Sequence, residues 1–168
     1  MASGTDSRPQ LPRPSKSFVD REERHVTVRE YTGGAAPLVE MYGHFDTDSR
    51  SQGVPPRQEH RVRTWVDDLL QDGLNVVARH GETVVGHAVL IPYDETSELA
   101  IFVRPAYQAA GIGTQLIRCL LGLGQANGLS HVWLSVSRSN RIAMNLYRSA
   151  GFEITLRDRG EYEMERAL

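Results

Sequence analysis

Apolar and polar positions along the chain follow two alternating rhythms. Arg24–Tyr31 alternates polar with apolar, placing Val26 and Val28 on one side, as a half-buried strand does. Pro37–Phe45 carries Leu38, Met41, Tyr42 and Phe45 at helical spacing, and the turn-forming run DTDSRSQGVPP follows as a loop. A second helix is predicted from Pro56 to about Gln71, with Val62, Trp65, Val66, Leu69 and Leu70 on its apolar face and Gly73 past its end. Leu74–Arg79 and Thr83–Tyr93 read as strands joined by the tight turn His80-Gly81-Glu82. Glu98–Arg104 is a further strand, and a helix runs from the glycines near 111 to about Asn127. His131–Ser137 is a strand, Arg141–Ala150 a helix closed by Gly151, and Phe152–Arg157 with Tyr162–Arg166 a terminal hairpin.

The order β-α-α-β-β-β-α-β-α-β-β predicts a mixed α/β (α+β) domain over residues 23–168. Hairpins require antiparallel pairs and crossover helices permit parallel ones, so the central sheet of about seven strands has helices on both faces. Residues 1–22, rich in Pro, Ser, Arg and Gly and lacking apolar periodicity, read as a disordered tail.

Composition narrows the picture only modestly. At 168 residues and 40% hydrophobic, the chain suits one domain with a real core. A net charge of -2 gives no drive toward nucleic acid or an anionic membrane, and there is no basic stripe with interleaved aromatics. No apolar run approaches a membrane span, and the opening MASGTDSRPQLPRPSKS lacks the apolar core of a secretory leader. Cys119, the single cysteine, excludes an intramolecular disulfide and a multi-cysteine metal site, so a cytoplasmic location and a metal-free site are expected. Within its helix Cys119 reads as a small buried hydrophobe, which favours direct transfer over a covalent cysteine route.

The chemistry-bearing stretch is YQAAGIGTQL, Tyr107 to Leu116, set between a strand and a helix. A dinucleotide fold needs a third glycine that is missing here, and a P-loop needs a lysine that is also missing. What remains is a pyrophosphate cradle of successive backbone N–H groups at a helix N-terminus, Gln108-x-x-Gly111-x-Gly113.

The run ELAIFVRPAYQAAGIGTQLI, followed by SNRIAMNLYRSAGFE, closely resembles the GNAT superfamily of acyl-CoA-dependent N-acyltransferases. The resemblance covers roughly residues 24–168 and is strongest between Glu98 and Glu153. It implies the GNAT fold, acetyl-CoA as cosubstrate, and a primary amine as acceptor. By this resemblance Gln108, Ala109, Ala110, Gly111, Ile112, Gly113 and Thr114 bind the pyrophosphate. Ala109 and Ala110 supply backbone only, so Arg104 or Arg148 are candidate helpers. The N–H groups of Ile101, Phe102 and Val103 are expected at the thioester carbonyl, with Asn140 and Asn145 along the pantetheine arm. Glu98 is the expected general base, with His87 as alternate, and Tyr147 the expected donor to the departing thiolate. Asn140 also reads as a helix N-cap. Gly122 and Gly124 are read as close packing on the sheet.

MYGHFDTDSRSQGVPP resembles the loop of prokaryotic GNATs that acetylate lysines of metabolic enzymes, which puts a protein lysine first as acceptor. A small-molecule amine of aminoglycoside or polyamine type, or a protein N-terminus, stands as alternative, and a CoA-binding sensor without catalysis ranks last. Asp46, Asp48, Asp67 and Asp68 are candidates to steer a cationic amine. A monomer and a homodimer are both compatible with the sequence.

Overall fold

A computed structural model describes residues 10–46 and 55–168. In chain order the elements are β1 (Lys16–Val19), β2 (His25–Glu30), α1 (Ala36–Tyr42), α2 (Glu59–Asp72), β3 (Leu74–His80), β4 (Thr83–Tyr93), β5 (Thr96–Val103), α3 (Ile112–Ala126), β6 (His131–Ser137), α4 (Arg141–Ser149), β7 (Glu153–Arg157) and β8 (Glu161–Ala167). The strands form one sheet in the order β1-β2-β3-β4-β5-β6-β8-β7. Every neighbouring pair is antiparallel except β5 with β6, where the α3 crossover makes the pair parallel.

Strand alternation sorts the apolar side chains onto two faces. Val76, Ala78, Ala88, Leu90 and Leu99 meet Leu116, Ile117, Leu120 and Leu121 of α3 in the larger core. Val77 and Val84 face the other way, onto Leu38, Met41 and Tyr42 of α1 and Val62 and Val66 of α2. Helices thus cover both faces, as the hydrophobic periodicity predicts. The second helix starts at Glu59 rather than Pro56, because Gln58 is still extended at φ -89° and ψ 133°.

The N-terminal region departs from expectation. Lys16–Val19 is an eighth, edge strand, paired from Lys16↔Val28 to Val19↔His25, so the disordered tail expected over 1–22 does not hold for residues 16–19. Its sequence, KSFV, has one strongly apolar inward residue, Phe18, and no periodicity long enough to register. The preceding residues are fixed by α3: Leu11 packs on the core and its N–H bonds the Gln125 side-chain oxygen at 3.2 Å.

Gly122 is explained by the same contact. A Cβ at 122 would lie 1.8 Å from the Pro12 carbonyl oxygen, so this glycine admits the N-terminal segment rather than the sheet. Gly124 does face the sheet, where a Cβ would stand 2.8 Å from Leu90 Cδ1. Gly122→Ala is therefore expected to destabilise the full chain. In a chain beginning at residue 14 the same change should stabilise by about 1 kcal/mol, because alanine is the better helix former. Urea denaturation of the four proteins measures this reversal of sign.

Candidate functional site

The parallel pair β5–β6 is held at only two positions, Ser97↔Val132 and Glu98↔Trp133. Beyond Glu98 the strands part, and the gap opens into a cavity of about 620 Å³. Leu99–Val103 form one wall and Ser135–Ser137 the other, with the start of α3 and one side of α4 closing it.

Amide direction along β5 follows from one bond. Arg104 N–H donates to Val85 C=O at 2.8 Å, so residue 104 and its alternates 102, 100 and 98 address β4. Ile101 and Val103 therefore turn their N–H groups toward the gap. Phe102 does not, which corrects its expected place among the carbonyl-binding amides. Its ring points to the opposite face, edge-on to Tyr42 and Trp65 at centroid distances of 5.4 and 5.3 Å.

The glycine turn follows a short 3₁₀ turn at Pro105–Tyr107. Gln108 is at the expected position, but its side-chain N–H bonds Val103 C=O at 2.9 Å, tying the turn to the end of β5. Ala109 (φ 59°) and Gly111 (φ 92°) are both left-handed, and this backbone folds successive amides into a concave nest. Intrahelical bonding in α3 begins with Gln115 N–H to Gly111 C=O, leaving the amides of Ile112, Gly113 and Thr114 without an intrahelical acceptor. Ala110 and Ile112 bury their side chains, at 2% and 1% exposure, and present only backbone. A Cβ at 113 would touch Leu146 Cδ2 at 3.3 Å, so glycine there brings α3 close to α4.

Glu98 sits where the strands part, half-buried on the cavity wall, and burial pushes its carboxyl above the ordinary carboxylate range. Tyr147 borders the same cavity from α4, packed against Phe152 at 6.1 Å. Burial pushes its phenol up to about 12, so it stays protonated throughout the working range. Asn140 caps α4, its Oδ1 accepting from Ala143 N–H at 3.1 Å, while Asn145 is exposed on the cavity side. The cavity lining includes each expected catalytic and cofactor-binding residue except Ala110.

His87 is corrected as alternate base. It is fully buried on β4, facing α1, with Nε2 at 2.7 Å from Asn75 Oδ1 and Nδ1 at 2.7 Å from the Tyr42 hydroxyl. Asn75 Nδ2 donates to the Leu69 and Gly73 carbonyls, so Oδ1 must accept. His87 therefore carries its proton on Nε2 and accepts the Tyr42 O–H at Nδ1. Burial lowers its pKa to about 3. It is a neutral core group locking α1 to β3 and β4.

Of the other candidates, Arg104 reaches His44 at 3.1 Å, and Arg148 is exposed on α4 outside the cavity wall. Asp67 and Asp68 are exposed on α2, away from the cavity lining; Asp48 lies outside the described residues. Cys119 is fully buried in the core. The cavity residues outside the expected set include Ser135 and Ser137, plain strand residues in sequence, and Arg21, inside the stretch read as a tail.

The sequence profile of the Acetyltransferase (GNAT) family matches residues 38–152. A [Ribosomal protein bS18]-alanine N-acetyltransferase of Haemophilus ducreyi is 45% identical over 65 residues, 38% of this chain and 45% of that protein. The chain spans about half the length of the curated relatives it matches. Among solved structures, the GNAT domain of S. lividans PAT superposes with a TM-score of 0.80 at 18% identity, covering 92% of this chain and 97% of that one. The PaiA N-acetyltransferase of Thermoplasma acidophilum, solved in complex with coenzyme A, gives a TM-score of 0.65 at 19% identity over 84% of this chain and 99% of that one. These two similarities show the shared fold.

The buried imidazole makes stability depend on pH. The unfolded chain binds a proton at residue 87 near pH 6.5 and the folded chain only near 3, so stability falls as pH drops below 6.5. The slope from this group is about 1.4 kcal/mol per pH unit, or about 2 kcal/mol between pH 6.5 and 5. Urea titrations at pH 7 and 5 are expected to show this loss in the wild type, and His87→Gln is expected to flatten it while lowering stability at pH 7.

Proposed function

The chain belongs to the Acetyltransferase (GNAT) family, and we propose that it moves an acetyl group from acetyl-CoA directly to the α-amine at a protein N-terminus. The observation that carries the transfer chemistry is the parting of β5 from β6, which turns the Ile101 and Val103 amides into a cavity bordered by Glu98, Tyr147 and the glycine turn.

The residues suit the cosubstrate. The left-handed pair Ala109 and Gly111 with the free amides of Ile112, Gly113 and Thr114 would hold the pyrophosphate, at the positive end of α3. Asn145, exposed beside the cavity, would bond the pantetheine arm; Asn140 is spent on capping α4. When bound, acetyl-CoA supplies an acyl carbon joined to a thiolate leaving group. The Ile101 and Val103 amides stabilise the charge that develops on the carbonyl oxygen. As the amine nitrogen bonds to carbon and the C–S bond breaks, Glu98, directly or through water, takes the amine proton. Tyr147 donates its hydrogen bond to the departing sulfur and supplies the proton.

Energetics and the relatives both support this acceptor. A lysine amine, with a pKa near 10.4, costs about 4 kcal/mol to present neutral at pH 7.4, whereas an α-amine near 7.8 costs about 0.5 kcal/mol. One half-buried carboxylate is a sufficient base for the second case. The Haemophilus ducreyi relative is named for the same kind of acceptor, an alanine amine. This reading places the α-amine ahead of the lysine that the DTDSRSQGVPP loop suggests.

Thiol release from acetyl-CoA with a peptide carrying a free N-terminal alanine is expected to exceed that with an N-blocked peptide carrying lysine. Glu98→Gln should lower kcat by about 10²-fold and Tyr147→Phe by at least about tenfold. The profile of kcat/KM should rise with pH through the raised Glu98 pKa and the amine pKa. No falling limb is expected below pH 10, since Tyr147 keeps its proton to about 12. Preference for the lysine peptide would overturn the acceptor; saturable acetyl-CoA binding without turnover on any amine would overturn the transferase reading.

A further inference from the structure

The cradle formed by the glycine turn has no cation of its own. Positions 109 and 110 are alanines, and Arg104 is engaged with His44. The turn between β1 and β2 lies directly against it: Arg21 N–H donates to Ala110 C=O at 3.0 Å. That turn is internally fixed. Asp20, 6% exposed, accepts from the Glu22 and Arg24 amides at 2.9 Å each and from Arg24 Nε at 2.7 Å.

Arg24 then carries the turn onto the cradle's approach. Its Nη1 donates to Ala106 C=O at 3.3 Å, and its guanidinium carbon stands 4.1 Å from the centre of the Tyr107 ring. The Tyr107 hydroxyl is in turn 2.9 Å from His80 Nδ1. Arg24 is thereby fixed in the turn, with its Nη2 buried and without a hydrogen-bond partner among the described residues. The Arg21 side chain, by contrast, is exposed, has no acceptor among the described residues, and borders the cavity alongside Gln108, Ala109 and Gly111.

We propose that Arg21 is the phosphate-pairing cation of this site, delivered by the β1–β2 turn to a cradle that otherwise offers only backbone; the inference rests on the acetyl-CoA reading above. The guanidinium pairs with the pyrophosphate and makes charge-assisted hydrogen bonds to its oxygens. The edge hairpin is then part of the binding site, and the contact favours donors that carry a pyrophosphate.

Arg21 holds Ala110 through its main chain, so a side-chain substitution leaves that bond in place. Calorimetric titration of the full chain with CoA and with dephospho-CoA, which keeps the pyrophosphate and lacks the ribose phosphate, tests the assignment. Arg21→Ala is expected to weaken both about tenfold at low salt. The deficit should shrink as salt rises, and Arg21→Lys should recover part of it. Equal affinity of wild type and Arg21→Ala for CoA overturns the inference. So does a deficit seen with CoA and absent with dephospho-CoA, or a lysine variant as weak as the alanine one. A wild type that binds neither compound removes the acetyl-CoA reading itself, whereas tight wild-type binding with no effect at Arg21 removes only this step.

Discussion

Backbone N–H and C=O groups must be paired or hydrated, and β5 has a paired edge along β4 but only two positions of pairing with β6. Much of this architecture depends on that shortfall. In an uninterrupted sheet the Ile101 and Val103 amides would be spent on a neighbour. Here they face a cavity whose other walls are brought up by the crossover helix α3 and by α4. The last residue before the opening is Glu98, so a half-buried carboxylate stands where β5 and β6 stop pairing.

The opening persists because the elements around it are fixed elsewhere. Gln108 binds the end of β5, the absent side chain of Gly113 lets α3 approach Leu146 of α4, and Asn140 caps α4. On the far face the Tyr42–His87–Asn75 network joins α1 to two strands through a neutral imidazole. The edge hairpin completes the frame, with Leu11 and Pro12 seated on α3 and Arg21 and Arg24 holding the glycine turn. The N-terminal segment is therefore tied to both the core and the site.

Legibility in the sequence followed how local each signal is. Gly111, Gly113 and the strand–turn–helix order around them are local, and the cradle appears where they place it. Glu98 and Tyr147 are singled out in sequence by the resemblance of ELAIFVRP and NLYRSAGF to the GNAT superfamily, and both border the cavity. Phe102 was not, because amide direction alternates along a strand and only the Arg104–Val85 bond sets its phase. His87 reads in sequence as a titratable group on a strand; its partners Tyr42 and Asn75 lie 45 and 12 residues away, and they alone make it a neutral core group. The β1 strand is not legible because four residues with one strongly apolar anchor carry no period, and Arg21 lies in the same aperiodic stretch.

On the proposed function, acetyl-CoA is received by the amides released at the parting of β5 from β6 together with those at the start of α3. Residue-resolved amide hydrogen exchange by NMR, with and without saturating acetyl-CoA, tests this most directly. Slowed exchange is expected at Ile101, Val103, Ile112, Gly113 and Thr114, with Phe102 already slow and unchanged. Unaltered exchange at Ile101 and Val103 under saturation, or protection appearing at Phe102 instead, would rule out this placement of the thioester.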